Sequence, residues 1–325
     1  MAKQVYNRLV DKDIYEKVNR ENKDMMEDFL LELKAQKRSE GTCKQYKNDL
    51  KIFFCWIYKN HDNKEVYKLT RKQLRNFILY LSDLGMSSNR VNRIKSTISS
   101  FLTHLENDDE LDEQVVNHMA KVKSVDKELV RDIIFISTEQ VDYVRSELIN
   151  QEKYQICLLW DILTSTGIRH NEVFQIQKDW IVPNDNRTTQ EVIGKRKKKF
   201  KVCIHARARE SFDLYMKQRG EDDIPQLWIN NKGQAASYEA IYLWILECRK
   251  ILSKHEGKEI NINVHSLRHY FIDGMIKNYH FLCKEMNRTF TLQQVQAMVS
   301  HSSSETTSSY CKKDDEDTID NAFGW

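Results

Sequence analysis

The chain has 325 residues, 30% charged and 40% hydrophobic, enough for about two domains, each with a core of its own. A formal net charge of +3 names no partner, but its distribution is uneven: GKRKKKFK at 194–201 is strongly basic and DDEDTID near the C-terminus is acidic, which suits a polyanionic ligand. Seven cysteines without CxxC spacing argue against a disulfide scaffold, and no run of about 18 apolar residues could span a membrane. With MAKQVYNRLVDKD lacking a signal-peptide core, the expectation is a cytoplasmic protein with reduced thiols.

Only two prolines and nine glycines, with abundant Lys, Glu, Leu and Gln, predict a mostly helical chain. Residues 1–20 form a polar arm or short helix. MMEDFLLELKAQK places Met25, Phe29, Leu30 and Leu33 on one side of a helix, and CKQYKNDLKIFFCWIYKN does the same with Tyr46, Leu50, Phe53, Phe54 and Ile57. A third helix opens at a capping box, Thr70 to Gln73, and stops at Gly85. A fourth begins near Ser87 and runs through VNRIKSTISSFLTHL. Residues 106–136 read as a charged connector, with a helix VVNHMAKV inside it.

A second domain starts at FISTEQVDYVRSEL, where Ser137 and Gln140 make another capping box. QICLLWDILTSTG is a helix broken at Gly167, and a new one begins at IRHNEVFQIQ. Three β-like runs follow: DWIV (179–182), QEVIGK (190–195) and FKVCI (200–204). The last two read as a hairpin whose turn carries the basic cluster. RARESFDLYMKQ, YEAIYLWILECRKIL, VHSLRHYFIDGMIKN and LQQVQAMVS are helices.

Four stretches carry chemistry. In HSLRH, His265, Arg268 and His269 fall at i, i+3 and i+4 on one helix face, a cationic surface that could hold an anion. Alone, the same pattern fits a solvated polar face. A zinc site is the weaker reading, because Ser266 stands where the zinc-protease pattern has Glu and no third ligand is spaced to complete it. Arg169 follows a Thr-Gly turn at a helix start, where backbone N–H groups and a guanidinium can converge on one anion. Lys195, Arg196, Lys197, Lys198, Lys199 and Lys201 put positive charge on the hairpin, fit for phosphates. Finally, SHSSSETTSSYCKK has the composition of a loose loop but sets His301 and Tyr310 nine residues apart.

Taken in order, TGIRHNEV, the VIGK hairpin, HSLRH and SHSSSETTSSY resemble the catalytic domain of the tyrosine recombinase (phage integrase) family. The resemblance covers roughly residues 137–312. It implies a mainly α fold with a small β-sheet and a two-domain clamp: an N-terminal arm (1–20), a helical DNA core-binding domain (21–108), a linker (109–132), a mixed α/β catalytic domain (133–312) and a C-terminal tail (313–325). Matched position by position, Arg169 is the first arginine, Glu172 its supporting acid and Lys195 the hairpin lysine. His265 and Arg268 are the HxxR pair, with His269 beside them, His301 is the second histidine and Tyr310 the nucleophile. Lys197, Lys198 and Lys199 are near enough to compete with Lys195 for the lysine role.

The implied reaction is cleavage and rejoining of double-stranded DNA through a 3′-phosphotyrosyl intermediate. Arginines supply fork-like donors that stay charged, and nearby cations favour a phenolate whose ordinary pKa is near 10. Bond energy is kept in the new ester, so the scheme needs no metal and no cofactor. The implied partners are double-stranded DNA and other copies of the chain, as a dimer or tetramer, in a cytoplasmic, nucleoid-associated setting. The same fold without cutting would be a DNA-binding repressor of a phage or mobile element. The sequence departs from the family pattern in three places. Ser300 stands where Gly is usual, His170 and Asn171 follow Arg169, and KNYHFLCKEMNRTFTLQQ is long enough to read either as a surface excursion or as an insertion that displaces the helix bearing His301.

Overall fold

The computed structural model describes residues 9–109, 111, 114–126 and 133–299. The chain divides into two compact units, residues 1–132 and 133–325.

The first unit is helical. α1 (Lys12–Lys17) is followed by α2 (Arg20–Ala35), α3 (Glu40–Asn60), α4 (Arg71–Asp83) and α5 (Ser88–Glu106). Side-chain caps start them: Asn19 on α2, Ser39 on α3, Ser87 on α5 and a reciprocal Thr70–Gln73 capping box on α4. α4 shows the logic of burial. Leu74, Phe77, Ile78 and Leu81 repeat at i, i+3, i+4 and i+7 and are all buried. Each contributes about 1.5–3 kcal/mol relative to exposure. Phe29, Phe53, Phe54, Phe77 and Phe101 fill the centre. A buried Asp49 on α3 ties α5 to this core, accepting a two-pronged contact from Arg93 at 2.9 and 2.7 Å and a hydrogen bond from Thr97 at 3.1 Å. The helix expected at VVNHMAKV is only a 3-10 turn, His118–Lys121, held by Asn117, whose amide donates to Ser99 and Thr103.

The second unit is built around α7 (Tyr154–Thr166), buried along nearly its whole length from Cys157 onward. α6 (Thr138–Asn150), α9 (Ala206–Arg219), α10 (Ala240–His255) and α11 (Val264–Ile276) surround it. Short helices α8 (His170–Phe174), α12 (Phe281–Glu285) and α13 (Leu292–Met298) complete the unit. A Ser137–Gln140 capping box opens α6, and Trp160 of α7 donates to the Val141 carbonyl at 3.2 Å.

The only sheet among the described residues is an antiparallel hairpin, β1 (Val192–Ile193) with β2 (Lys199–Phe200), in register Val192 to Phe200. It is shorter than the two β-like runs, because the buried Thr188 side chain accepts from Val202 N–H and takes over a ladder position. DWIV is not a strand. Lys178–Trp180 forms a 3-10 turn, and Lys178 N–H is committed to the Pro225 carbonyl. The long stretch after α11 is not a surface excursion at its start: His280, Phe281 and Leu282 are core, and the Arg207 guanidinium lies 3.8 Å from the Phe281 ring centroid.

Candidate active site

Three elements meet near the end of α7. Gly167 ends that helix with φ of 59°, in the left-handed region glycine favours. A Cβ there would also lie 2.8 Å from Phe271 of α11, so the chain can pass over α11 only as glycine. Arg268 of the same helix donates to the Gly167 carbonyl, so the chain leading into Arg169 is held against α11.

Arg169 stands at the start of α8. Glu172, nearly fully buried, accepts from the Arg169 backbone N–H at 2.7 Å and from its guanidinium at 3.0 Å. One carboxylate thus fixes both the main chain and the side chain of Arg169 while a quarter of that side chain stays open to solvent. Arg268 is 1% exposed. Its guanidinium donates to the Gly167 carbonyl and, at 2.8 Å, to the Val299 carbonyl at the end of α13. It therefore ties the loop carrying Arg169 to the last described residue before His301.

His265 opens the first turn of α11, where Asn263 caps the helix. Its ring faces solvent on one side. Desolvation on the other side pushes its pKa below the ordinary histidine value, and the neighbouring His269 and the Arg268 and Arg169 guanidinium groups push the same way. The imidazole is therefore neutral at pH 7 and able to accept a proton. Arg169 and Arg268 are thus each near enough to His265 to disfavour its charged form. The His269 ring also packs edge-on to Phe135, with ring centroids 5.7 Å apart.

The hairpin is locked onto α8. Gln175 donates to the Ile193 carbonyl at 2.9 Å and accepts from Ile193 N–H at 2.8 Å. Gly194 follows directly, and a Cβ there would lie 2.8 Å from Glu172 Oε1 and 3.1 Å from the Phe200 ring. Gly194→Ala is thus expected to displace either Glu172 or the hairpin. The expected cost is about 1–3 kcal/mol, read as a lower denaturant midpoint.

Lys195 is the residue that follows this approach of Gly194 to Glu172. Lys195, Lys197, Lys198, Lys199 and Lys201 are all exposed, and Arg196 lies in the same turn. Lys201 also lines a cavity of about 590 Å³ with Phe271, Met275 and Met298, to which Arg169, His265 and Arg268 do not contribute. His301 and Tyr310 lie outside the described residues.

Two contributors were not legible in the sequence. Gln175 has no motif, and its partner is 18 residues away. Trp228 donates to the Val173 carbonyl at 2.8 Å across 55 residues, and it too follows no local pattern. Among the described residues, no group of three or more His, Cys, Asp or Glu could hold a metal ion, and no helix is long and apolar enough to cross a membrane.

Comparison with known proteins gives this arrangement a family. Residues 123–317 match the model of the Phage integrase family, and residues 26–108 match the Phage integrase, N-terminal SAM-like domain. The chain is 24% identical over 264 residues to the SPbeta prophage-derived recombinase-like protein YomM of Bacillus subtilis (strain 168), covering 78% of each. It is 24% identical over 293 residues to the tyrosine recombinase XerC of Staphylococcus carnosus (strain TM300), covering 88% of this chain and 91% of that protein.

Its fold is shared with a lambda integrase tetramer bound to a Holliday junction, at a TM-score of 0.67 and 15% identity over 89% of this chain and 76% of that one. It is shared too with XerH site-specific recombinase bound to difH substrate in a pre-cleavage complex, at a TM-score of 0.61 and 18% identity over 91% and 83%. The integrase match covers more than half of the sequence and includes every residue gathered around Arg169, and the chain belongs to the phage integrase family of tyrosine recombinases.

Proposed function

We propose that this protein is a site-specific recombinase that cuts and rejoins double-stranded DNA through a 3′-phosphotyrosyl intermediate on Tyr310. The observation that carries this reading is the pairing of Arg169, braced by Glu172, with the buried Arg268, beside a neutral His265. Such a set suits a phosphodiester whose two non-bridging oxygens gain charge as the phosphorus is attacked.

In the proposed reaction the Tyr310 oxygen attacks phosphorus and the bond to the 5′ oxygen breaks. The phenol proton passes to a histidine, His265 or His301, and Lys195 protonates the departing 5′ oxygen. The phosphate then bridges the 3′ oxygen and Tyr310. Attack by a 5′-hydroxyl reverses each bond change, so the cycle needs no external energy. The exposed lysines of the hairpin turn contribute nonspecific phosphate contacts, weakened by salt. By analogy with the lambda integrase tetramer, the chain is assigned self-association on DNA, as a dimer or tetramer.

The test is covalent trapping. Cognate DNA carrying a nick beside the cleavage position should give a protein–DNA adduct on a denaturing gel, and Tyr310→Phe should give none. Tight sequence-specific binding with no adduct on any cognate site would replace the recombinase with a DNA-binding repressor of the same fold.

A further inference from the structure

α8 carries Arg169 at its start and Glu172 within it, yet spans only five residues. A helix this short does not hold itself, since the nucleus costs more than one turn of hydrogen bonds returns. Its geometry must come from what grips it. Trp228 holds its C-terminal end through the Val173 carbonyl, and Gln175, the residue that follows α8, is tied to the hairpin through Ile193.

A third grip is at the other end, next to Arg169. The His170 ring stacks on Tyr238 with centroids 4.1 Å apart and planes 10° from parallel. Its Nε2 also lies 2.9 Å from the Tyr238 carbonyl, so Nε2 carries the proton and donates it. Phe174, one turn on, meets the same Tyr238 ring edge-on at 5.3 Å and 82°. Both ends of α8 therefore close on one side chain just before α10.

We propose that His170 and Tyr238 form a latch that positions Arg169 for the reaction, making both of them positioning residues. This rests on the recombinase reading above. Stacking holds the helix laterally, and the hydrogen bond to a main-chain carbonyl fixes its depth. Without the latch, Arg169 keeps Glu172, but the pair can move together away from the phosphate. A misplacement of about 1 Å costs on the order of 100-fold in rate when a group acts by geometry.

Single-turnover adduct formation on nicked DNA at saturating concentration tests this, together with DNA affinity. Tyr238→Ala and His170→Ala are each expected to lower the rate constant by about 10–100-fold with Kd changed less than about twofold. Tyr238→Phe keeps ring and carbonyl and should match the wild type. The double variant should be no slower than the slower single, since both break one device. In an Arg169→Lys background, Tyr238→Ala should cost less than about threefold, because the effect acts through Arg169.

A wild-type rate in Tyr238→Ala overturns the latch. So does a loss of active fraction with an unchanged rate constant, which would mark simple unfolding. Hydrogen exchange at the Glu172 and Val173 amides judges the latch without activity. Tyr238→Ala should speed it by about tenfold or more while α7 and α11 stay protected. Unchanged exchange there overturns the latch, whereas a wild-type protein forming no adduct overturns the recombinase reading.

Discussion

Arg268→Lys is expected to destabilise the second unit by about 3 kcal/mol and to slow covalent adduct formation by about 1,000-fold. Both effects follow from one geometry. The guanidinium, 1% exposed, reaches the Gly167 and Val299 carbonyls on opposite sides. A lysine ammonium is a point donor on a flexible stem and cannot span both. At least one buried carbonyl would lose its partner, at about 1–3 kcal/mol, and a cation would remain buried with a poorer set of contacts. The rate loss has a second source, because the same guanidinium holds the Arg169 loop against the residue that leads into His301.

Arg169→Lys provides the contrast. That side chain is a quarter exposed, and its brace, Glu172, also bonds the Arg169 backbone N–H, which substitution leaves in place. Its expected stability cost is below about 1 kcal/mol while the activity loss stays large. Urea denaturation and single-turnover trapping on the same preparations separate the two. If both variants lost activity without stability, Arg268 would have no structural part.

The legible and illegible features divide by the range of the interaction that fixes them. The two capping boxes expected from the sequence, Thr70–Gln73 and Ser137–Gln140, are decided within four residues, and both form where the sequence places them. The stop at Gly85 and the break at Gly167 are equally local, each a positive φ that glycine accommodates. The motifs around Arg169 and Arg268 are visible as residue types at fixed spacing.

Their partners are not. Arg268 donates to a carbonyl 101 residues away, and His170 meets a carbonyl 68 residues on. His269 has the helical spacing to neighbour His265, but nothing local foretells that its ring also packs on Phe135. DWIV has strand composition, yet Pro225 and Asp222 in a distant loop claim Lys178 and turn the segment. HFLCKE reads as polar-flanked surface, but its apolar triplet enters the core as soon as His280 finds a buried carbonyl.

That buried histidine makes stability pH-dependent. His280 is fully buried, with Nε2 at 2.9 Å from the Thr164 carbonyl and Nδ1 accepting from Leu282 N–H at 3.1 Å. The first contact requires a proton on Nε2 and the second forbids one on Nδ1, so the folded ring is neutral. Burial drives its pKa down to about 3, and His205 and Arg207 push the same way. Unfolded, the ring titrates at the ordinary histidine value of about 6.5. Below that value the unfolded chain binds a proton that the folded one refuses. Stability is therefore complete above pH 6.5 and is lost as pH falls toward 3, at about 1.4 kcal/mol per unit from this group.

Between pH 6.5 and 5 the expected loss is about 2 kcal/mol, read from urea midpoints. His170, His205 and His265 are also held below their ordinary values, so the isolating comparison is His280→Gln. An amide can donate to Thr164 and accept from Leu282 but does not titrate. The variant is expected to be less stable at pH 7.5, through imperfect packing, and to fall less steeply with acid. If wild type and variant ran parallel down to pH 5, the His280 ring would be taking up its proton in the folded state, and the neutral, doubly bonded imidazole would be the wrong description of that core.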